Sequence, residues 1–205
     1  MQSSAALQRQ SVVSLDSADF DAVCADLMQL VNRDSVPDLV IGIPTGGAYV
    51  AEAMTKAAPA DLPMLEMTCR RPSSKLKKGS PLKKMLTRLP RPVVDQLRVI
   101  EHAVLTRKPA QPPETAYEFL PEELERVAAW LAAIDRPPSL LVVDDAVDSG
   151  ATLLQVVDAL RKMAPHGTTI RSAVVTVTTD RPLIWPDYAM FNRQLCRFPW
   201  SLDAR

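Results

Sequence analysis

Two adjacent carboxylates, Asp144 and Asp145, follow the apolar run Leu140-Leu141-Val142-Val143, and a loop of small and hydroxylated residues, Asp148-Ser149-Gly150-Ala151-Thr152, comes next. The apolar run reads as a strand buried on both faces, as in a parallel sheet, and the carboxylates arrive where that strand is expected to end. The loop leads into a helical pattern. Its small residues let backbone N–H groups approach an anion, the hydroxyls of Ser149 and Thr152 add donors, and the helix brings its positive end. A phosphate fits there. Carboxylates repel phosphate, so Asp144 and Asp145 need another partner, and accepting hydrogen bonds from a pair of sugar hydroxyls suits them. Together these residues describe a site for a ribose 5-phosphate.

Two further stretches offer groups for anions. Pro44-Thr45-Gly46-Gly47 ends a second apolar run, Leu39-Val40-Ile41-Gly42-Ile43, and precedes a helix-like segment from Ala48 to Ala58. A Gly-Gly pair after a strand is either a plain turn or a backbone cradle, and the phosphate loop elsewhere in the chain favours the cradle. Farther on, Arg70 to Lys78 holds five cations in nine residues, among them Arg70, Arg71, Lys75 and Lys78. Such a run is either a solvated loop or a set of cations for a charged ligand.

The stretch 140–153 closely resembles the signature of the type I phosphoribosyltransferases, where a hydrophobic strand, two acidic residues and an Asp-Thr/Ser-Gly-x-Thr loop follow one another. The resemblance implies an α/β fold with a doubly wound, mostly parallel sheet flanked by helices. It implies transfer of a 5-phosphoribosyl group from magnesium-bound phosphoribosyl pyrophosphate (PRPP) to a nitrogen of a nucleobase or related heterocycle, with pyrophosphate leaving. By that resemblance Asp144 and Asp145 hold the ribose hydroxyls and meet Mg2+ only through substrate or water. Asp148, Ser149, Gly150, Ala151 and Thr152 grip the 5-phosphate, and Asp148 is also placed to accept or relay a proton at the nucleophile. Thr45, Gly46 and Gly47, with Arg70, face the pyrophosphate, while Arg71, Lys75 and Lys78 act on the leaving group. In orotate-type members a mobile basic loop follows the corresponding strand, although the His-Gly found there is replaced here by Lys78-Gly79.

The tail, roughly 185–205, resembles the hood of the 6-oxopurine enzymes. Trp185 or Tyr188 then offers a face for base stacking, although an aromatic tail also packs for its own sake. The lysine that those enzymes carry on the strand after the phosphate-loop helix is missing, and Val174, Val175, Thr176, Val177 and Thr178 stand in its place. Purine salvage is therefore disfavoured and the acceptor is left open. The alternative is a non-catalytic PRPP- or nucleotide-sensing regulator whose basic loop and helical insertion contact a partner.

Several elements must hold these residues in place. Ser17 is expected to cap a helix with the apolar stripe Phe20, Val23, Leu27, Leu30 and Val31. Leu62 to Cys69 reads as a third strand, and Pro121 starts a helix that buries Leu124, Val127, Leu131 and Ile134. Between them, about 81–118 reads as a helical insertion in a single domain spanning 1–205, with an oligomer contact preferred to substrate recognition and a homodimer expected. Leu153, Val156, Val157, Leu160 and Met163 form the helix after the phosphate loop, and Thr169–Thr178 is β-branched enough for a further parallel strand.

Composition agrees with a phosphate-ester enzyme better than with a nucleic-acid binder. Lys plus Arg and Asp plus Glu are 24 each in 205 residues, so no net positive field draws a polyanion. Cys24, Cys69 and Cys196 are odd in number and lack metal-ligand spacing, which suits reduced thiols. No apolar run approaches the ~20 residues of a membrane span, so a cytoplasmic location is expected.

Overall fold

The computed structural model describes residues 12–70 and 117–201. In chain order the elements are β1 (Val12–Ser14), α1 (Ser17–Asp34), β2 (Leu39–Gly42), α2 (Gly46–Lys56), β3 (Met64–Glu66), β4 (Cys69–Arg70), β5 (Glu118–Phe119), α3 (Pro121–Ala132), β6 (Ser139–Val147), α4 (Ala151–Met163), β7 (Thr169–Val177), β8 (Tyr188–Asn192) and β9 (Leu195–Arg197). The helical insertion expected from 81 onward and the cations Arg71, Lys75 and Lys78 lie outside the described residues.

Five strands pair in parallel in the order β3-β2-β6-β7-β8. β6 lies at the centre, and its alternating side chains face two separate cores. Leu141 and Val143 pack with residues of α1 and α2, whereas Leu140 and Val142 pack with residues of α3 and α4. All four are fully buried, which is why this strand reads as an unbroken apolar run. Truncating either leucine to Ala is expected to cost about 2–5 kcal/mol through lost transfer energy and the cavity left behind. Among the described residues no helix is long and apolar enough to cross a membrane.

Where the chain departs from expectation, a hydrogen bond supplies the reason. The cap of α1 is Asp16 rather than Ser17: the Asp16 carboxylate accepts the N–H of Asp19 at 2.8 Å, and Asp19 reciprocates to the Asp16 N–H at 3.4 Å. Such a capping box contributes about 1 kcal/mol, and it leaves Ser17 as the first helical residue. The single strand expected over Leu62–Cys69 is two pieces. Met67 donates its N–H to Gly42 O at 3.1 Å, completing the main sheet. Thr68 then turns away, because its N–H and hydroxyl both donate to the carboxylate of Glu123 in the first turn of α3. β4 consequently pairs antiparallel with β5, matching Cys69 with Phe119 and Arg70 with Glu118.

The strand order carries the functional information. After β2 the chain crosses to β3 on one side, and β6, on the other side of β2, begins a run through β7 and β8 in the opposite direction. The boundary between β2 and β6 is thus a topological switch point, where crevices open outside the carboxyl ends of the strands in open α/β sheets. The turn after β2 leads into Gly46 and Gly47 at the start of α2, and the last part of β6 carries Asp144 and Asp145.

Candidate active site

The carboxylates lie within a strand rather than just beyond it. β6 continues to Val147 because its register with β7 holds through Asp144–Val174, Ala146–Thr176 and Val147–Val177. This ladder fixes the backbone on which both aspartates sit. Strand alternation gives Asp145 the same face as Leu141 and Val143, toward α2.

There it meets the loop after β2. The helix α2 begins at Gly46, two residues earlier than its apolar pattern implies, so Gly46 and Gly47 form its first turn. Thr45, its exposed N-cap, makes no side-chain hydrogen bond to the helix, and the Pro44–Thr45 peptide is cis. A Cβ on Gly46 would collide with the Asp145 carboxylate, standing 2.7 Å from Oδ1 and closer still to Oδ2. A Cβ on Gly47 would lie 2.6 Å from Val143 O and 2.7 Å from Asp144 Cα. Backbone atoms make glycine necessary at Gly47, whereas at Gly46 a side chain would have to displace the Asp145 carboxylate. The turn after β2 and the acidic pair on β6, separated by about a hundred residues in sequence, are therefore brought into direct contact.

The electrostatics of that crevice are unfavourable without a ligand. Burial pushes the Asp144 carboxyl well above the usual carboxylate range, and the neighbouring Asp145 charge adds to the effect. Asp145 is raised as well, again chiefly by burial. Internal donors relieve this only in part: Asp145 N–H donates to Asp144 Oδ1 and Ala146 N–H to Asp145 Oδ1, both at 2.9 Å. A ligand offering hydroxyl donors or positive charge would stabilise the ionised pair.

The phosphate-loop candidates surround a cleft of about 80 Å³ lined by Asp144 and by residues 146–153. Gly150, the N-cap of α4, adopts φ 76° and has no side chain with which to cap the helix. The Ser149 hydroxyl accepts the Ala151 N–H at 3.3 Å, which tightens the turn. A larger cavity of about 460 Å³ lies between α1, α2 and Pro199-Trp200, but neither Asp144, Asp145 nor any residue of 148–152 lines it. The smaller cleft is the one bordered by a helix start, the feature that backbone anion sites use.

The stacking candidates separate. Leu183 N–H donates to Ser149 O at 2.9 Å, and the backbone of Ile184 lies 3.1 Å from where a Cβ of Gly150 would be. Trp185 follows directly and is 53% exposed, so an indole stands free beside the loop. Tyr188 is elsewhere. It pairs with Ala173, four residues short of the end of β7, and its ring is buried. Its hydroxyl donates to Asp34 at 2.5 Å and accepts from Arg171 at 2.8 Å, while Arg171 also caps the end of α1 at Ser35 O. The ring and hydroxyl of Tyr188 are thus engaged within the scaffold, and Trp185 is the aromatic that stands beside the loop. The Phe198-Pro199-Trp200 end likewise packs on the scaffold: Trp200 stacks on Phe198 and contacts Phe20 and Tyr49 at centroid distances of 4.9–5.0 Å. Arg70 is exposed on β4, beyond the carboxyl edge of β2.

Sequence reasoning missed one polar partner. Thr178, directly after β7, donates its hydroxyl to Asp148 Oδ1 at 2.5 Å. The β-branched run ending at Thr178 was the available signal, but its side-chain partner depends on the β6–β7 register.

No protein-family model matches the chain, and no curated protein matches it. Solved structures do. The chain is similar to a purine phosphoribosyltransferase from Pyrococcus horikoshii Ot3, at 18% identity over 93% of each chain with a TM-score of 0.56. It is similar to the xanthine-guanine-hypoxanthine phosphoribosyltransferase of Helicobacter pylori, at 15% identity over 94% of this chain and 95% of that one, TM-score 0.57. A hypothetical protein from Neisseria gonorrhoeae with bound ppGpp matches at 18% identity over 95% and 92%, TM-score 0.59. The fold is that of the type I phosphoribosyltransferases, a parallel sheet of five strands with helices on both faces.

Proposed function

We propose that the protein is a phosphoribosyltransferase that moves a 5-phosphoribosyl group from PRPP to a nitrogen nucleophile, a nucleobase or related heterocycle. The observation that carries this reading is the contact of Gly46 and Gly47 with Asp144 and Asp145 at the switch point, next to the loop that starts α4. That arrangement offers N–H donors at two helix starts for the two phosphorylated ends of PRPP, with carboxylates between them for the ribose hydroxyls.

In this reading the bond from the anomeric carbon to pyrophosphate breaks and its electron pair leaves with the pyrophosphate. The nitrogen lone pair forms the new glycosidic bond, and Asp148 receives the proton that the nitrogen sheds. Charge builds toward an oxocarbenium ion at the sugar, so positioning and electrostatics supply the catalysis. Asp144 and Asp145 orient the ribose, residues 148–152 hold the 5-phosphate, and Trp185 offers a stacking face for a flat acceptor. Arg70, with Arg71, Lys75 and Lys78, supplies cations for the departing pyrophosphate.

Among the described residues no group of three or more His, Cys, Asp or Glu side chains is placed to hold a metal. Mg2+ held mostly by its own water and by substrate oxygens nonetheless fits beside Asp144 and Asp145, whose carboxylates would accept hydrogen bonds from that water rather than bind the ion directly. Bound there, Mg2+ would neutralise charge on the pyrophosphate.

A second reading is nucleotide sensing without transfer, favoured by the ppGpp held in the Neisseria structure. Incubation with PRPP, magnesium and a panel of nucleobases, with pyrophosphate release as the readout, separates the two. Release that depends on one acceptor supports transfer, whereas tight PRPP binding without release supports sensing.

A further inference from the structure

We infer that Thr178 is the positioning residue for Asp148: its hydroxyl fixes one carboxylate oxygen and thereby aims the other at the acceptor. The inference rests on the transferase reading above and deepens it.

Thr178 stands just past the end of β7, beside the last residue of β6. Its N–H donates to Val147 O at 3.0 Å, which extends the β6–β7 ladder by one rung to the brink of the phosphate loop. Thr178 is 4% exposed, so its hydroxyl is shielded from competing water. Its hydroxyl lies 2.5 Å from Asp148 Oδ1 and 3.3 Å from Val147 O. A hydroxyl has one proton. The shorter contact, to a charged acceptor, is the stronger by roughly twofold, so the proton goes to Asp148.

Asp148 needs such a partner. It is exposed at the start of a loop, where a carboxylate otherwise samples several rotamers. With Oδ1 tied to a buried hydroxyl that is itself pinned to the sheet, Oδ2 keeps a defined direction beside the cleft. Proton acceptance by Asp148 depends on that direction, because a misplacement of about 1 Å can cost ~10²-fold in rate. The other reading is that Thr178 only closes the sheet edge. That role requires its backbone and methyl group, but not its hydroxyl.

The test compares Thr178→Val, which keeps the shape and loses the hydroxyl, with Thr178→Ser, which keeps the hydroxyl. Circular dichroism first establishes that both variants are folded. With the acceptor found in the nucleobase panel, Thr178→Val is expected to lower kcat about 10- to 100-fold while KM for PRPP stays within about threefold, and Thr178→Ser to stay within about threefold of the parent in both. Crystal structures of all three proteins soaked with inorganic phosphate read the same claim without turnover. The Asp148 carboxylate should rotate in Thr178→Val and stay in place in Thr178→Ser. Equal kcat in Thr178→Val and the parent, equal losses in both variants, or an unmoved Asp148 in Thr178→Val would overturn the inference. If no nucleobase is turned over, the crystal structures decide it alone. If the parent protein binds no PRPP, the transferase reading fails separately, since neither variant enters that measurement.

Discussion

The Cα of Gly46 lies against the carboxylate of Asp145, leaving no room for a methyl group. Through this contact the first turn of α2 and the acidic pair on β6 act as one structure, although each belongs to a different βα unit. Gly46→Ala must displace either the helix start or the carboxylate. PRPP with magnesium at millimolar concentration is expected to raise the melting temperature of the parent protein and to raise that of Gly46→Ala much less. Equal shifts would show that the close approach is irrelevant to the ligand.

The acidic pair makes opposite demands on stability and binding. Because burial raises the Asp144 carboxyl, the folded ligand-free protein binds more protons than the unfolded chain from the ordinary carboxylate value up to the raised one, and stability falls as pH rises through that window. Asp144→Asn removes this term. The variant is expected to be at least as stable as the parent at pH 7 and to vary less with pH across the window, while losing about 1.5–3 kcal/mol of PRPP binding. Thermal melts between pH 4 and 8 check the first part, and calorimetry checks the second.

Asp38 has the opposite sign. Its hydrogen bonds from Arg136 and from the Ser139 N–H hold its carboxyl below the usual value and join the starts of β2 and β6. That stabilisation is present above the unfolded carboxylate value and disappears as pH falls through the lower folded one. Since Arg136 is largely exposed, Asp38→Asn should cost only about 1 kcal/mol, measured by urea unfolding at pH 7, with a smaller difference from the parent at pH 3.

Much of this design is visible in the sequence. The apolar runs of β2 and β6 and the starts of α3 at Pro121 and of α4 after Gly150 are local signals, and each sits where its pattern places it. The remainder depends on tertiary partners. β1 and β9 are three residues each and exist because they pair with one another, Val12 with Leu195 through Ser14 with Arg197. β6 passes through its two aspartates because β7 continues beside it. Tyr188 belongs to Arg171 and Asp34, neither of which its own segment announces.

The cysteines provide a check on the core that is independent of the site. Burial pushes the Cys24 thiol up to about 12 and the Cys196 thiol up to about 11. At pH 8 the thiolate fractions are then on the order of 10⁻⁴ and 10⁻³, so iodoacetamide should leave both unmodified in the native protein and alkylate both in urea. Mass spectrometry of the digested protein reads each site. Rapid native labelling of Cys24 would show that α1 is not packed on the sheet as described.

Asp148→Asn separates proton acceptance from phosphate binding. PRPP affinity should remain within a few fold, because the backbone N–H groups of the loop are untouched, while turnover should fall by roughly 10²–10⁴. If PRPP binding is lost as well, Asp148 shapes the loop and is not the proton acceptor.

The most direct measurement is isothermal titration of the protein with PRPP in the presence of magnesium, beside the Asp144→Asn/Asp145→Asn double variant. The expected result is one PRPP per chain for the parent protein, with affinity weakened at least ~100-fold in the double variant, since each charged hydrogen-bond acceptor contributes about 1.5–3 kcal/mol. Absence of binding by the parent at millimolar PRPP, or equal affinity in the double variant, would contradict the assignment of this crevice to a phosphoribosyl group.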